Sequence, residues 1–323
     1  MKTIIIAEAG VNHNGSLKLA KKLIDAAKNV KADYIKFQSF NHEKLTTKNA
    51  PKADYQKKTS KKKETQYTML KKLELSKSNQ IKLIEYCKKK KIKFLSTAFD
   101  TENLEFLINQ GIDYIKIPSG EITNLPLLKF IKKKNKKVLL STGASNISEI
   151  ADALKILKIK KKVTIMHCNS AYPTPLNDIN LNSLKFLQEK FNCNIGLSDH
   201  SLSIVAPSGA VAIGATVIEK HFTLSRKLKG PDHKSSLLPK ELSTMIKNIR
   251  EMEKALGKKE KKITKSEKKN RKIIRKSIVA SINIRKGEKF SFKNLAFKRP
   301  GYGISPMKLK RVQGKKSKKN YKA

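Results

Sequence analysis

The stretch YIKIPSGEITNLPLLKFIKKKNKKVLLSTG, residues 114–143, decides the fold. It opens with a short apolar run, Tyr114 to Pro118, and passes through an amphipathic segment of helical length, Leu125 to Lys133. It then returns to a second apolar run, Lys137 to Ser141. Short apolar runs without alternation are strands buried on both faces, and strands of that kind joined by helices pair in parallel. Working outward, the same unit recurs. Further strand-like runs cover Thr3 to Ala9, Tyr34 to Gln38, Lys93 to Ala98, Val163 to Cys168, Asn194 to Leu197 and Ala215 to Lys220. Helix candidates between them are Leu17 to Val30, Ser76 to Lys89, Glu102 to Asn109, Ile147 to Leu157, Leu181 to Phe191 and Leu202 to Ile213. Eight strand–helix units predict an α/β protein, a closed (β/α)₈ TIM barrel; no G-x-G-x-x-G follows the first strand to suggest an open dinucleotide-binding sheet.

A chain of 323 residues suits one large domain with a small appendage. The barrel is expected over residues 1–257, with 239–256 as its last helix. A charged, glycine-poor tether follows over 258–276. From Ser277 the pattern turns to strand-like pieces, Ser277 to Ile284 and Phe290 to Phe297, divided by the turn Arg285-Lys286-Gly287-Glu288, so residues 277–323 are expected to form a small β-rich domain.

Composition removes several function classes. No run approaches the length of a membrane span, and the apolar start is cut by Glu8 before it reaches the length of a signal-peptide core. Cys87, Cys168 and Cys193 are odd in number and far apart, which predicts no disulfide framework and a reducing, cytoplasmic setting. Cys168 adjoins His167, but neighbours on a strand face opposite ways, so they are not read as a nucleophilic pair. The formal charge of +46 invites a nucleic-acid reading. Only seven of the 72 basic residues are arginine, and the lysines fall in short scattered runs such as 61–63, 88–91 and 132–134, so no nucleic-acid stripe is expected.

In a parallel barrel the site is built at the carboxyl ends of the strands. Lys36 and Lys116 alternate with apolar neighbours and should point inward, where they join the hydroxyls of Thr97, Ser119, Ser141 and Ser198 in a pocket suited to phosphate and carboxylate. His200 and His221 end adjacent strands, with Asp199, Glu219 and later Asp232 nearby, a pattern suited to a divalent metal. Glu8 and Glu121 could move protons, and Glu8 could equally be bound in a salt bridge with Lys36 or Lys220. Asn12 and His13 follow the first strand in its loop; His13 and His167 are weaker candidates, and His42 and His233 are read as loop residues, the latter after Gly230-Pro231-Asp232, a candidate substrate loop.

These strand ends form a string: Ile6-Ala7-Glu8-Ala9-Gly10-Val11-Asn12-His13-Asn14-Gly15, Ile35-Lys36-Phe37-Gln38, Lys116-Ile117-Pro118-Ser119-Gly120-Glu121, Leu140-Ser141-Thr142-Gly143, His167-Cys168-Asn169-Ser170-Ala171-Tyr172-Pro173, Gly196-Leu197-Ser198-Asp199-His200 and Glu219-Lys220-His221-Phe222-Thr223. Together they resemble the bacterial sialic acid synthase family, and Lys298-Arg299-Pro300-Gly301-Tyr302-Gly303-Ile304 is similar to its antifreeze-like (SAF) domain. The resemblance implies condensation of phosphoenolpyruvate with N-acetylmannosamine or a close N-acyl hexose, with C–O cleavage and release of phosphate. The alternative it allows is N,N'-diacetyllegionaminate synthesis from 2,4-diacetamido-2,4,6-trideoxymannose. It implies phosphoenolpyruvate on Lys36, Thr97, Lys116, Ser119, Ser141, Ser170 and Ser198, with manganese or magnesium on His200 and His221. Glu121 would serve proton transfer, with Glu8 and Glu219 in support and Tyr172 and Asp232 on the sugar. Arg299 would reach the partner's sugar in a domain-swapped homodimer. Ser170 stands where relatives carry Asn, and the chain stops at Tyr321-Lys322-Ala323, where a final strand would begin, so a truncated small domain is expected. Two other classes are set against this reading: a Schiff-base aldolase using Lys36 or Lys116, and a basic nucleic-acid-binding protein.

Overall fold

A computed structural model describes residues 2–59, 64–300 and 302–323; Met1, the lysine run at 61–63 and Gly301 of the tail motif lie outside the described residues. The chain divides into two compact units, residues 1–257 and 258–323.

In the first unit β1 (Ile4–Gly10), β2 (Tyr34–Ser39), β3 (Lys93–Ala98), β4 (Tyr114–Ile117), β5 (Lys137–Ser141), β6 (Val163–Cys168), β7 (Asn194–Asp199) and β8 (Val217–His221) follow one another around a closed barrel. All pairs are parallel, and β1 against β8 closes the ring with Glu8 opposite His221. The eight expected strands are all present, and β7 and β8 run slightly further than expected, to Asp199 and His221.

The crossover helices form because their apolar residues fall on one stripe. In α1 (Leu17–Asn29) Ala20, Leu23, Ile24 and Ala27 are buried, and Ser16 caps the first turn by accepting from the Leu19 amide. Between β2 and β3 lie α2 (His42–Leu45), α3 (Asp54–Thr59), α4 (Gln66–Leu73) and α5 (Lys77–Lys90). Residues 42–73 carry no sequence signal for α2, α3 and α4, because helices this short and polar have no apolar period. The others are α6 (Thr101–Asn109), α7 (Leu125–Lys134), α8 (Ile147–Leu157), α9 (Leu176–Ile179), α10 (Asn182–Phe191), α11 (Ala206–Ile213) and α12 (Pro239–Leu256). The expected start of α11 at Leu202 is corrected to Ala206, because Ser201 and Ser203 hydroxyls turn the backbone there.

Two apolar layers hold this unit. One lies between strands and helices; the other, inside the barrel, comprises Ile6, Tyr34, Leu95, Leu139, Met166 and Val217. Side chains two residues apart share a strand face. The next inward positions above that layer are therefore Glu8, Lys36, Thr97, Ser141, Cys168 and Glu219, so the barrel's apolar plug is the floor of a polar layer. Gly196 gives Met166 its place in the plug, since a Cβ there would stand 2.5 Å from the Met166 sulfur.

In the second unit α13 (Lys265–Ile274) occupies much of the expected tether, capped by a reciprocal Thr264–Glu267 box. It buries no side chain, which is why an apolar period did not mark it. The antiparallel strands β9 (Ser277–Ala280) and β10 (Leu295–Lys298) are shorter than expected. Ser291 to Asn294 form a turn instead, with the Asn294 side chain accepting from the Ser291 amide at 2.8 Å. Tyr321, expected to precede a missing strand, bridges Ile284 in antiparallel fashion.

Candidate active site

The polar layer opens into a cavity of about 260 Å³ at the carboxyl ends of the strands. Lys36 and Lys116, both buried, reach it from adjacent quarters of the barrel. Lys36 Nζ donates to Thr97 Oγ1 at 2.8 Å and pairs with Glu8 at 2.9 Å and Glu219 at 3.6 Å. Lys116 Nζ donates to Ser141 Oγ at 2.7 Å and lies 3.4 Å from Glu219. Ser198 Oγ donates to Glu219 at 2.9 Å. Two cations, two carboxylates and three hydroxyls thus form one buried network.

Across the cavity His200 and His221 approach each other, with ring centroids 5.3 Å apart. His200 Nε2 lies 3.0 Å from the Tyr172 hydroxyl, while its Nδ1 is held by the Asn169 carbonyl at 2.6 Å. His221 Nδ1 is buried with no hydrogen-bond partner among the described residues. Backbone space is part of the design: Gly10 adopts φ +51°, and a Cβ there would stand 3.2 Å from the His221 ring. Gly143 leaves room for Ser170 and Ser119, whose hydroxyls would lie 2.6 and 2.9 Å from an added Cβ.

Residues 23–261 match the family model described as NeuB family, and residues 275–323 match the SAF domain. The chain belongs to the NeuB family. It is 50% identical to an N,N'-diacetyllegionaminic acid synthase of Campylobacter jejuni, over 99% of this chain and 97% of that one. A second N,N'-diacetyllegionaminic acid synthase, from Legionella pneumophila, is 41% identical over 100% of this chain and 92% of its own length. Among solved structures, an N-acetylneuraminic acid (sialic acid) synthetase from Leptospira borgpetersenii is 37% identical, with a TM-score of 0.74 over 84% of this chain and 90% of the other. This NeuB-family chain is an enzyme, a phosphoenolpyruvate-dependent transferase that forms a C–C bond.

The electrostatics of the NeuB cavity follow from the burial of its charged side chains and from their mutual charges. Burial pushes Glu8 up to about 7, against the pull of Lys36. Burial would raise Glu219 as well, but Lys116 and Lys36 together bring it down to about 2. Burial opposes the charge of Lys36, yet Glu219 and Glu8 hold its pKa above the usual lysine range. Lys116, with one carboxylate at 3.4 Å, falls below that range because burial prevails. His221 is pushed well below its ordinary value by burial and by the neighbouring His200, so it stands as a neutral base. Two buried imidazoles, one with an unpartnered nitrogen, fit a divalent first-row cation whose shell is completed by substrate or water. Among the described residues no three His, Cys, Asp or Glu side chains converge as a preformed metal site.

Of the expected site residues, Glu8, Lys36, Thr97, Lys116, Ser119, Ser141, Ser170, Tyr172, Ser198, His200, Glu219 and His221 all line this cavity. Glu121 does not: it sits on the turn after β4, where its carboxylate accepts from Asn124 at 2.5 Å. Asp232 is buried beside the cavity, where it feels the charge of His200. Arg299 is exposed on the second unit, just after β10. Asp199 faces away from the histidines and pairs with Lys220 at 2.6 Å, because alternation along β7 sends it to the opposite face from Ser198 and His200. Glu8 therefore pairs with Lys36 and not with Lys220. His13 is buried outside the lining and accepts from the Gly15 amide at 3.0 Å; His167 is tied to the Ile179 carbonyl at 2.7 Å. His42 belongs to α2 and bonds Glu74, and His233 is buried in a short 3₁₀ turn against Thr223. The sequence reading missed Cys168 as a lining residue: its thiol stands 3.7 Å from His200 Nδ1, a neighbour from the next strand that adjacency in sequence could not supply.

Proposed function

We propose that the protein condenses phosphoenolpyruvate with 2,4-diacetamido-2,4,6-trideoxymannose to give N,N'-diacetyllegionaminate and phosphate. The observation that carries this reading is one cavity in which the Lys36/Lys116 cradle faces the His200/His221 pair. The sugar is chosen on the two relatives named N,N'-diacetyllegionaminic acid synthases, which match nearly the whole chain. That choice puts the N-acetylmannosamine reaction, first in the sequence reading, in second place.

In this reading Lys36, Lys116, Thr97, Ser119, Ser141, Ser170 and Ser198 bind the phosphate and carboxylate of phosphoenolpyruvate. The incoming anion competes for the lysines with Glu8, and Glu8, with its pKa near neutrality, can take up a proton as its partner is drawn away. Glu219 stays ionised and balances the lysine charges. Tyr172 and Asp232 orient the sugar so that its aldehyde carbon meets the enol carbon, forming the new C–C bond. Water adds to the carbon that bore the phosphate, and the C–O bond to phosphate breaks. A manganese or magnesium ion held by His200 and His221 would supply Lewis-acid polarisation of the aldehyde. Glu121 enters the proposal only as a proton carrier at the rim, once its bond to Asn124 opens.

The proposal includes cytoplasmic work on small molecules without nucleic acid, and a domain-swapped homodimer in which Arg299 of one protomer serves the sugar of the other. The test is phosphate release from phosphoenolpyruvate in manganese buffer. The diacetamido sugar should exceed N-acetylmannosamine in kcat/KM, and Arg299→Ala should raise the sugar KM while sparing that for phosphoenolpyruvate. Turnover surviving a chelator, together with a borohydride-trapped pyruvate adduct, would instead support the aldolase alternative.

A further inference from the structure

A buried lysine outside the cavity lining joins the two strands that carry the histidines. Lys220 is 1% exposed and stands one residue before His221 at the end of β8. Its register partner on β7 is Asp199, which stands one residue before His200. Alternation sends both histidines into the cavity and sends Asp199 and Lys220 to the outer face of the barrel, where their charges pair at 2.6 Å.

The ammonium of Lys220 has three protons and three close acceptors. It donates to Asp199 Oδ2 at 2.6 Å, to the Ser201 carbonyl at 2.6 Å and to the Ser203 carbonyl at 3.0 Å. Asp199 Oδ1 accepts in turn from the Ser201 amide at 2.8 Å. The residues on both sides of His200 are therefore tied to one nitrogen. The register between β7 and β8 ends at Asp199 and Lys220, one residue short of both histidines, and the Lys220 side chain carries the connection past that end. Other contacts hold His200 to the loop after β6: the Thr174 amide donates to its carbonyl at 3.1 Å, and its ring meets the Asn169 carbonyl. Lys220 ties the same residue to the strand of His221.

A buried ion pair is a weak source of stability, because the loss of hydration offsets much of the attraction, and an apolar pair of similar volume often serves a core as well. An apolar pair could not bond the Ser201 and Ser203 carbonyls. What the charge adds here is the path of the backbone through His200. Two imidazoles whose ring centroids stand 5.3 Å apart can share one ion only while that spacing is kept, and groups behind metal ligands act on affinity by keeping it.

We propose that Lys220 is a positioning residue for the His200/His221 pair, holding the backbone around His200 at the distance from β8 that lets both rings bind one divalent cation. The inference rests on the metal reading above and goes beyond it by assigning the spacing to a side chain that lies outside the cavity.

The experiment titrates manganese alone into the wild type, His221→Ala, Lys220→Met and Asp199→Asn, reading free manganese by electron paramagnetic resonance. Phosphoenolpyruvate binding is measured by calorimetry without metal, and thermal unfolding is followed alongside. Lys220→Met should weaken manganese by about 10- to 100-fold, the usual loss when a group behind a metal ligand is removed. Its Kd for phosphoenolpyruvate should stay within about twofold, since Lys36 and Lys116 stand on β2 and β4 and Ser198 lies within the paired part of β7. Asp199→Asn leaves Lys220 its two carbonyls and should weaken manganese in the same direction by less. A folded Lys220→Met variant with wild-type manganese affinity overturns the role; should that variant not fold, the same result in Asp199→Asn does so. Equal losses of manganese and phosphoenolpyruvate also overturn it, since that pattern is general disruption of the barrel. A wild type that binds no manganese, or a His221→Ala variant that binds it as tightly as the wild type, overturns the metal reading, and the positioning role with it.

Discussion

Lys36 is the residue on which the site's charge balance turns, because it pairs with both Glu8 and Glu219 and all three side chains are buried. Removing one partner of a buried ion pair ordinarily costs about 3–5 kcal/mol, since the other charge is left stranded. Glu8 lessens that cost, because a carboxyl already at about 7 can shed its charge by taking a proton. Lys36→Met should therefore lower stability by only about 2 kcal/mol at pH 6. Without the lysine the Glu8 pKa should rise further above its unfolded value of 4.5. A group raised on folding contributes stability that is complete below its unfolded pKa and is lost as pH rises through its folded pKa. The deficit of the variant should grow from pH 6 to pH 9 in urea unfolding measurements, and a deficit independent of pH would refute the pairing. Its KM for phosphoenolpyruvate should rise by about 100-fold, the loss of one buried charge-assisted contact.

At the scale of elements, the loop after β5 shows how backbone space is reserved for a ligand. Gly143 has an ordinary backbone angle, so alanine there meets no conformational strain, but its Cβ would crowd the hydroxyls of Ser170 and Ser119 at 2.6 and 2.9 Å and the Cys168 sulfur at 3.3 Å. Gly143→Ala should displace both hydroxyls, raise the phosphoenolpyruvate KM by about tenfold and leave the melting temperature within about 2 °C. Steady-state kinetics beside a thermal scan checks it, and a large fall in melting temperature with unchanged KM would count against it. The strands that carry these groups were legible in the sequence because burial on both faces leaves an apolar run closed by polar residues. Lys36 and Lys116 stood out for the same reason, as charges inside such runs. Of the helices between β2 and β3, α5 was legible from its apolar stripe, whereas α2, α3 and α4 were not, since they are short and polar. For α13 a signal was present in the Thr264–Glu267 box, but no apolar stripe accompanied it. Which strand ends would meet was legible only as far as alternation allowed: it brought His200 and His221 together, and it turned Asp199 away to Lys220.

At the scale of the whole molecule, the net charge of +46 acts on a reaction whose common substrate is an anion. Lysines spread over the surface build a positive potential that raises the local concentration of anions, and salt screens it, with a Debye length of about 30 Å at 0.01 M and about 8 Å at 0.15 M. The cradle lysines are buried against carboxylates and are screened far less. The two contributions can thus be separated by salt. Raising potassium chloride from 0.01 to 0.3 M should lower kcat/KM for phosphoenolpyruvate by about tenfold through surface screening, while kcat, set inside the cavity, stays within about twofold. The uncharged sugar should show no such dependence in its KM. A kcat/KM for phosphoenolpyruvate that is flat in salt would mean that the surface charge takes no part in substrate capture. The cradle alone would then gather the anion, and the lysine-rich surface would have no role in this reaction.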